Sequence, residues 1–252
     1  MAKKFFAVLG DPIAHSLSPL IHTAAYKVLD LDWHYEAIRV PEGELEKFLS
    51  GADKFDGFSV TMPLKLEAAK LAESLDDVAA ATGVVNTLLH TNTGFMGLNT
   101  DCFGITQSTS NITINSAAVL GSGATARSAI YALNLIPGVT SITCYGRNPS
   151  TLKQIEHVLG AEVVTKSFDA YQGFEDLTIN TVPDFTPSTY RQLLNTSYSA
   201  SEQLAPNQIS GIEMLLWQAL AQLRIFTSGR ANQELPNESD IISAMRDSLI
   251  AK

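Results

Sequence analysis

A glycine-rich turn near the middle of the chain has the residue types that a bound dinucleotide requires. Gly121-x-Gly123-x-x-Ala126 follows the apolar run 117–120 and opens a helical pattern, which is the context of the G-x-G-x-x-G/A fingerprint. Gly121 permits a tight turn, Gly123 lets a pyrophosphate approach the backbone, and Ala126 allows close helix–strand packing. Such turns are also common without a ligand, but the helix that follows offers free N–H groups to phosphates. The motif in this setting predicts a dinucleotide site.

The residues after the next predicted strand bear on which dinucleotide binds. NAD sites usually carry an Asp or Glu about 20 residues past the glycines, whereas NADP sites omit the acid and supply an arginine. The predicted strand 140–145 has no acid at its end and is followed by Arg147 and Asn148. The alternative for Arg147 is an ordinary exposed loop cation. The pattern favours NADP and leaves NAD open.

A second set of candidate residues follows the first and third predicted strands. Ser16 and Ser18 come after the first of these strands, and Thr61 and Lys65 come after the third. Ligands of open α/β sheets bind beyond the carboxyl ends of the strands. Ser18 also suits a helix N-cap before Pro19. Lys65 opposes the helix dipole at its position, which hints at a function.

Two further polar residues have local structural explanations of different strength. Asn86 lies inside a predicted strand, where its amide needs a hydrogen-bond partner. Asp101 opens a predicted helix, where a capping carboxylate is expected. Asn86 is therefore the less ordinary of the two.

Apolar periodicity predicts that strands and helices alternate along the chain, which is typical of an α/β protein with mostly parallel sheets. The turn at 91–94 joins two apolar segments as a hairpin. The predicted strands are 5–9, 33–38, 58–60, 84–90, 94–98, 117–120, 140–145 and 177–182, and the predicted helices are 18–30, 42–50, one from 64, one that starts at 101–102, 127–135, 211–226 and 237–250.

Composition excludes several classes of function. The 252 residues carry a net charge of −9, which argues against nucleic acid or a membrane surface as the main partner. Any anion site must therefore be local. Cys102 and Cys144 form no C-x-x-C pair and are expected to be buried, reduced thiols. The histidines show no metal-ligand spacing, and no stretch reaches the roughly 20 apolar residues of a membrane helix. We expect a cytoplasmic protein without a metal.

Six segments, in this order and spacing, together resemble the shikimate dehydrogenases, and they cover nearly the whole chain. They are GDPIAHSLSP at 10–19, VTMPLK at 60–65, GVVNT at 83–87, GLNTDCFG at 97–104, the glycine motif at 121–126 and GIEMLLWQ at 211–218. The resemblance implies two α/β domains. Residues 1–101 and 237–252 would form a substrate-binding and catalytic domain with a mostly parallel sheet, and residues 102–236 a Rossmann-like NADP-binding domain.

The resemblance also implies a role for individual residues. Lys65 and Asp101 would form the catalytic pair. A neighbouring carboxylate favours the charged ammonium of a lysine, so we assign Asp101 mainly an orienting role, and which of the two moves the proton stays open. Met214 would touch the nicotinamide, although it also fits the apolar core. The substrate-binding set would be Ser16, Ser18, Thr61, Asn86 and Gln218, with the two serines on the carboxylate; the cofactor-binding set would be Gly121, Ser122, Gly123, Ala124, Arg147, Asn148, Thr181 and Met214.

The implied function is NADP-dependent interconversion of 3-dehydroshikimate and shikimate by hydride transfer, in aromatic amino acid biosynthesis. Two alternatives stay open: an NAD-preferring quinate/shikimate dehydrogenase, and a weakly active paralogue that binds a nucleotide or metabolite as a regulator. The expected partners are small molecules only, with no nucleic acid and no membrane, and the chain would be a monomer or a homodimer.

The chain departs from the family pattern at three places. Asn148 stands where the family usually has Ser or Thr, and Ser59 stands where it has Asn. The segment 184–210 matches neither the strand nor the tyrosine that usually occur there, and Tyr198 is a substitute only by proximity. These departures are the reason for the alternatives.

Overall fold

The computed structural model describes residues 3–158, 163–197 and 204–250. Its residues cluster into two compact units, Met1–Thr100 with Gln218–Lys252, and Asp101–Trp217. The resemblance implies boundaries after residues 101 and 236, so the second observed boundary lies earlier in the chain than expected. It falls within a helix, because the later part of that helix packs on the sheet of the first unit.

The first unit contains a mixed sheet of six strands within the described residues. These are β1 (Lys4–Gly10), β2 (Trp33–Arg39), β3 (Gly57–Val60), β4 (Ser74–Leu75), β5 (Thr87–Thr91) and β6 (Gly94–Leu98). The order is β2-β1-β3-β5-β6-β4. β1 pairs parallel with β2 and β3, whereas β5 and β6 form an antiparallel hairpin that joins β3 through β5. The carboxyl ends of β1 and β3 therefore meet at one edge.

Three helices of the first unit begin close to the predicted positions: α1 (Ser18–Val28), α2 (Leu45–Leu49) and α3 (Lys65–Leu71). A fourth helix, α4 (Asp77–Thr82), has no predicted counterpart. The expectation that Ser18 caps α1 is wrong, since Leu17 is the N-cap residue and Ser18 is already helical. The Oγ of Ser16 accepts a hydrogen bond from the Ser18 amide at 3.3 Å. A serine hydroxyl thus still satisfies one of the unpaired N–H groups at the helix start.

The second unit contains a parallel sheet of six strands within the described residues. These are β7 (Ser116–Leu120), β8 (Ser141–Gly146), β9 (Val163–Ser167), β10 (Leu177–Asn180), β11 (Leu193–Asn195) and β12 (Gln208–Ile209), in the order β12-β11-β10-β7-β8-β9. A 3-10 turn, Phe168–Ala170, follows β9. The helices that begin in this unit are α5 (Asp101–Ser108), α6 (Ala124–Leu135), α7 (Pro149–Val158) and α8 (Gly211–Ser228).

The last helix, α9 (Glu238–Ile250), returns to the first unit. Arg224 of α8 forms a two-pronged ion pair with Glu238, with Nε–Oε1 and Nη2–Oε2 distances of 2.7 and 2.6 Å. Phe226 of α8 stacks on Phe6 of β1 at a centroid distance of 4.3 Å. These contacts hold the end of α8 and the start of α9 within the first unit.

The predicted α/β class is confirmed, with two sheets rich in parallel strands. The short strand β4 and the helices α4 and α7 were not predicted, and neither was β9. The segment 184–210 contains the strand β11, parallel to β10, so the loss of sequence similarity there is not a loss of the strand. Among the described residues, no helix combines the length and apolar character needed to cross a bilayer.

Candidate functional site

The loops after β1 and β3 touch each other in the first unit. The Asp11 amide donates to the Met62 carbonyl at 3.0 Å, and the Thr61 amide donates to Leu9 at 2.9 Å. A Cβ atom on Gly10 would lie 2.8 Å from the Met62 carbonyl oxygen, so this close approach requires glycine. The polar residues predicted after these two strands therefore lie on loops that are held together.

Lys65 and Asn86 lie on adjacent segments at this edge of the sheet. Lys65 is the half-buried first residue of α3, and its carbonyl accepts the Val85 amide at 3.1 Å. The carbonyl of Asn86 accepts the Val60 amide at 2.7 Å. Asn86 precedes β5 instead of lying within a strand as predicted. These backbone hydrogen bonds bring the end of β3 and the start of α3 next to Asn86.

The Asn86 side chain has the partners that a buried amide needs. Its Oδ1 accepts the Thr100 amide at 2.8 Å and the Thr87 hydroxyl at 2.9 Å. Its Nδ2 donates to the Thr100 hydroxyl at 2.9 Å and to Oε1 of Gln218 at 3.3 Å. Asn86 is 2% exposed and Gln218 is 8% exposed. Two of the predicted substrate-binding residues are thus directly hydrogen-bonded to each other.

A residue that the sequence analysis missed, Gln222, lies one helical turn beyond Gln218 and is 1% exposed. Its Nε2 donates to the Asn86 carbonyl at 3.1 Å and to the Thr87 hydroxyl at 3.0 Å. Its Oε1 accepts the Ser59 hydroxyl at 2.8 Å, and Ser59 accepts the Tyr35 hydroxyl at 2.6 Å. The sequence did contain a signal for this residue: Gln222 is a glutamine within the apolar face of α8, and a buried side-chain amide requires hydrogen-bond partners.

His22 contacts both Gln222 and Tyr35, the residues at the two sides of Ser59. Its ring stacks on Tyr35 at 4.2 Å, and its Nε2 lies 3.3 Å from Oε1 of Gln222. Complete burial, which a hydrogen bond to Gln222 only partly offsets, lowers the pKa of His22 from 6.5 to about 3. The imidazole is neutral at physiological pH, and Nε2 carries the proton because the carbonyl oxygen of Gln222 can only accept.

Asp101 is the first residue of α5 and belongs to the second unit. It is 3% exposed. The N-terminal turn of a helix favours a carboxylate, because the dipole is positive there. The predicted position of Asp101 in a first turn is therefore confirmed.

The glycine-rich turn of the second unit has the predicted strand–turn–helix form. Gly121 has a φ of +106°, and its amide donates to Tyr145 at 2.8 Å. A Cβ there would collide with the Thr181 hydroxyl, which itself donates to the Leu120 carbonyl at 2.7 Å. Gly123 is the N-cap residue of α6, and a Cβ there would have nothing within 4 Å. Gly121 therefore serves the fold, whereas Gly123 leaves open space at the helix start.

Arg147 lies at the end of β8 on a cleft of about 530 Å³. Its guanidinium lies 4.9 Å from the centre of the Phe168 ring, a cation–π geometry. Asn148 accepts the Ser150 amide at 2.9 Å and so caps α7. Lys166, which was missed, lines the cleft with Lys153, because β9 pairs alongside β8. No local sequence signal links Lys166 to Arg147.

The remaining predicted residues have ordinary surroundings. Ser122 shares a hydrogen bond of 2.6 Å with Thr151 of α7, and Met214 of α8 is 6% exposed. Cys102 and Cys144 are buried and do not form a disulfide, as predicted. Tyr198 lies outside the described residues. Within the residues that the structure describes, no group of three or more His, Cys, Asp or Glu is arranged to hold a metal ion.

Comparison with known proteins identifies the family. The model of the shikimate dehydrogenase substrate binding domain matches residues 8–88. The chain is 41% identical over 162 residues (62% of its length) to the pentafunctional AROM polypeptide of Candida tropicalis, of which it spans only 10%. It is 31% identical to the shikimate dehydrogenase (NADP(+)) of Methanococcoides burtonii, over 89% of this chain and 93% of that protein.

A solved structure extends the similarity to the whole chain. The crystal structure of Mycobacterium tuberculosis shikimate dehydrogenase superposes with a TM-score of 0.81 at 31% identity. The alignment covers 99% of this chain and 100% of that one. Sequence and fold agree along nearly the full length, and the chain belongs to the shikimate dehydrogenase family.

Proposed function

We propose that this protein is an NADP-dependent shikimate dehydrogenase that interconverts 3-dehydroshikimate and shikimate by hydride transfer. The observation that carries the proposal is the nearly full-length similarity to the shikimate dehydrogenase (NADP(+)) of Methanococcoides burtonii. Cys102 and Cys144 are buried and do not form a disulfide, which is compatible with a reducing compartment, and we propose that the protein acts in the cytoplasm.

The substrate would be bound by neutral donors. Ser16 and Ser18 would donate to its carboxylate, and Thr61, Asn86 and Gln218 would bind ring hydroxyls. Neutral hydroxyl and amide donors suit a protein whose net charge of −9 gives an anion no overall attraction. The hydrogen bond between the Asn86 and Gln218 amides supports this assignment, because it holds both groups in one orientation.

Lys65 would carry the proton of the reaction. When bound, reduced NADP would supply a hydride to the carbonyl carbon of 3-dehydroshikimate, and the carbonyl oxygen would need a proton. An ammonium at Lys65 would donate that proton, and the neutral amine would accept it back in the reverse direction. Asp101 would bind the adjacent hydroxyl and orient the ring. The position of Lys65 after a strand end, next to the Asn86 segment, supports this role.

The second unit fits a dinucleotide. The open space at Gly123 leaves the first amides of α6 accessible to a pyrophosphate. Gly121, Ser122, Ala124 and Thr181 would line the turn. The cationic side chains on the cleft beside β8 suit a 2′-phosphate on the ribose, and Arg147 would be its main partner.

The direct test is NADP reduction with shikimate and with quinate, measured side by side and repeated with NAD. We expect turnover of shikimate with NADP to dominate. If quinate with NAD is turned over faster than shikimate with NADP, the protein is a quinate dehydrogenase and the proposal is wrong. Cofactor binding without turnover of either substrate would indicate a regulator.

Two glycine substitutions should separate folding from cofactor binding. Gly123→Ala places a methyl group in open space at ordinary φ, so we expect an unchanged Tm and a KM for NADP raised by about tenfold. Gly121→Ala forces a residue into positive φ against Thr181, so we expect a loss of about 1–3 kcal/mol of stability. The measurements are thermal unfolding and steady-state kinetics. An unchanged KM in Gly123→Ala would exclude that turn as the pyrophosphate site.

Arg147 should determine the preference for NADP over NAD. We expect Arg147→Gln to reduce kcat/KM for NADP by roughly ten- to hundredfold and to change that for NAD much less, because a charge-assisted phosphate contact is lost. Lys166→Gln should reduce the NADP value by a smaller factor in the same direction. Arg191→Gln is the control, since this exposed arginine pairs with Asp176 instead. Equal losses for both cofactors in Arg147→Gln would contradict the assignment.

A further inference from the structure

We propose that Gln222 is a positioning residue for substrate binding, because its side-chain amide sets the orientation of the Asn86 and Gln218 amides. The inference rests on the proposed function and assigns a role to a residue outside the proposed substrate-binding and catalytic residues. Its basis is a buried hydrogen-bonded chain that runs from Tyr35 through Ser59 and Gln222 to the Asn86 side chain. Every contact in the chain lies within the first unit.

The direction of this chain follows from one backbone group. The carbonyl of Asn86 can only accept a hydrogen bond, so the group of Gln222 that lies 3.1 Å from it must be the NH2. The oxygen of the same amide is therefore turned toward Ser59. The Ser59 hydroxyl must donate to it, which leaves a Ser59 lone pair to accept the Tyr35 hydroxyl. The amide of Gln222 thus has a single orientation.

The orientation of the Gln222 amide also determines the direction in which the Thr87 hydroxyl proton points. The NH2 of Gln222 also donates to the Thr87 hydroxyl at 3.0 Å, so the Thr87 proton is directed to Oδ1 of Asn86 at 2.9 Å. Together with the Thr100 amide, this donor holds Oδ1 of Asn86 in place. Nδ2 of Asn86 then faces Oε1 of Gln218. The orientation is passed from Gln222 to both proposed ligand-binding amides.

Burial makes this arrangement costly to lose. Ser59, Asn86, Thr87 and Gln222 are each no more than 5% exposed. A donor or acceptor that loses its partner in such a place is left without water to replace it. Ser59 cannot serve a ligand in the way that a free hydroxyl would, because its proton and a lone pair are used inside the chain. In this protein the residue at that position therefore acts through Gln222.

The test compares Gln222→Met, which keeps the length of the side chain and removes its polar atoms, with Thr82→Val. Thr82 is a fully buried hydroxyl of the same unit that bonds to Val78, Val84 and Asn99. We expect Gln222→Met to raise the KM for shikimate by roughly tenfold, while its KM for NADP changes by less than about twofold. Thr82→Val should lower the Tm and leave both KM values unchanged. An unchanged KM for shikimate in folded Gln222→Met would overturn the proposal.

A double-mutant cycle with Asn86→Ala separates positioning from general destabilisation. If Gln222 acts through Asn86, the effect of Gln222→Met on KM should fall below about twofold in the Asn86→Ala background. Full additivity would contradict the proposal. Ser59→Ala is the second variant if Gln222→Met does not fold, and it should raise the KM for shikimate by roughly threefold. An unchanged KM for shikimate in Ser59→Ala would also contradict the role of the hydrogen-bonded chain.

A readout without turnover distinguishes this inference from the proposed function. In the isotope-labelled protein, the side-chain amide protons of Asn86 should exchange with solvent at least about tenfold faster in Gln222→Met than in the wild type. Thr82→Val should leave that rate unchanged. Equal rates in wild type and Gln222→Met would overturn the inference even if shikimate is turned over. If exchange is faster in Gln222→Met than in the wild type, but the wild type does not oxidise shikimate, only the proposed function is overturned.

Discussion

Replacing Lys65 with methionine is expected to reduce kcat for shikimate oxidation by about a thousandfold, as typical losses of a general acid–base group are 10²–10⁴. Methionine keeps most of the side-chain length of lysine but has no proton to exchange. The KM for NADP should change little, because Lys65 lies in the first unit and the proposed cofactor residues lie in the second. The measurement is steady-state NADP reduction at saturating shikimate.

The control for Lys65 lies in the same helix. Lys70 is exposed in the last turn of α3, so Lys70→Met removes the same charge from the same helix without touching the proposed site. Lys70→Met should keep a kcat within about twofold of the wild type. A near-normal kcat in Lys65→Met would remove Lys65 from the chemical step.

Acid should destabilise the protein through His22. Its pKa falls from 6.5 to about 3 on folding, so the unfolded chain binds a proton that the folded chain does not. The stability that depends on a neutral His22 therefore increases with pH across this interval. It is fully present above pH 6.5 and is lost as the pH falls toward 3. The expected slope is about 1.4 kcal/mol per pH unit, or about 2 kcal/mol between neutral pH and pH 5.

His22→Gln isolates this contribution. Glutamine does not titrate and still offers an N–H to Oε1 of Gln222. The free energy of unfolding, measured by urea denaturation near pH 7.5 and near pH 5, should therefore fall by about 2 kcal/mol less in His22→Gln than in the wild type. Thr82→Val is the control, and its effect should be the same at both pH values. Equal pH dependence of wild type and His22→Gln would show that His22 is not buried as a neutral ring.

Local chemistry made much of the fold predictable. The apolar run of β1, the proline at the start of α1 and the glycine turn before α6 each depend on residues within a few positions of one another. Short strands such as β4 and β12 have two residues each, and they exist because a neighbouring strand supplies hydrogen bonds. Their own sequence has no period to detect.

The unit boundary inside α8 shows another limit of the sequence. Apolar residues continue along the whole helix, so the pattern does not reveal that Phe226 packs against β1 whereas the helix begins in the other unit. Periodicity shows which face of a helix is buried, but not which partner buries it. The boundary implied by the resemblance therefore lay just before α9, whereas in the structure the first unit already resumes at Gln218 within α8.

The amino-acid sequence by itself determined the α/β class, the glycine turn and the candidate residues Ser16, Lys65, Asn86 and Arg147, because these depend on short motifs in order. Only the tertiary structure revealed that Gln222 reaches the Asn86 segment, across 136 positions, and that Lys166 shares the cleft of Arg147. Strand register and helix packing bring these residues together, and neither leaves a mark on the neighbouring sequence. The glycine turn kept its predicted form: the backbone requires glycine at Gly121, whereas a Cβ at Gly123 would meet only open space in front of α6.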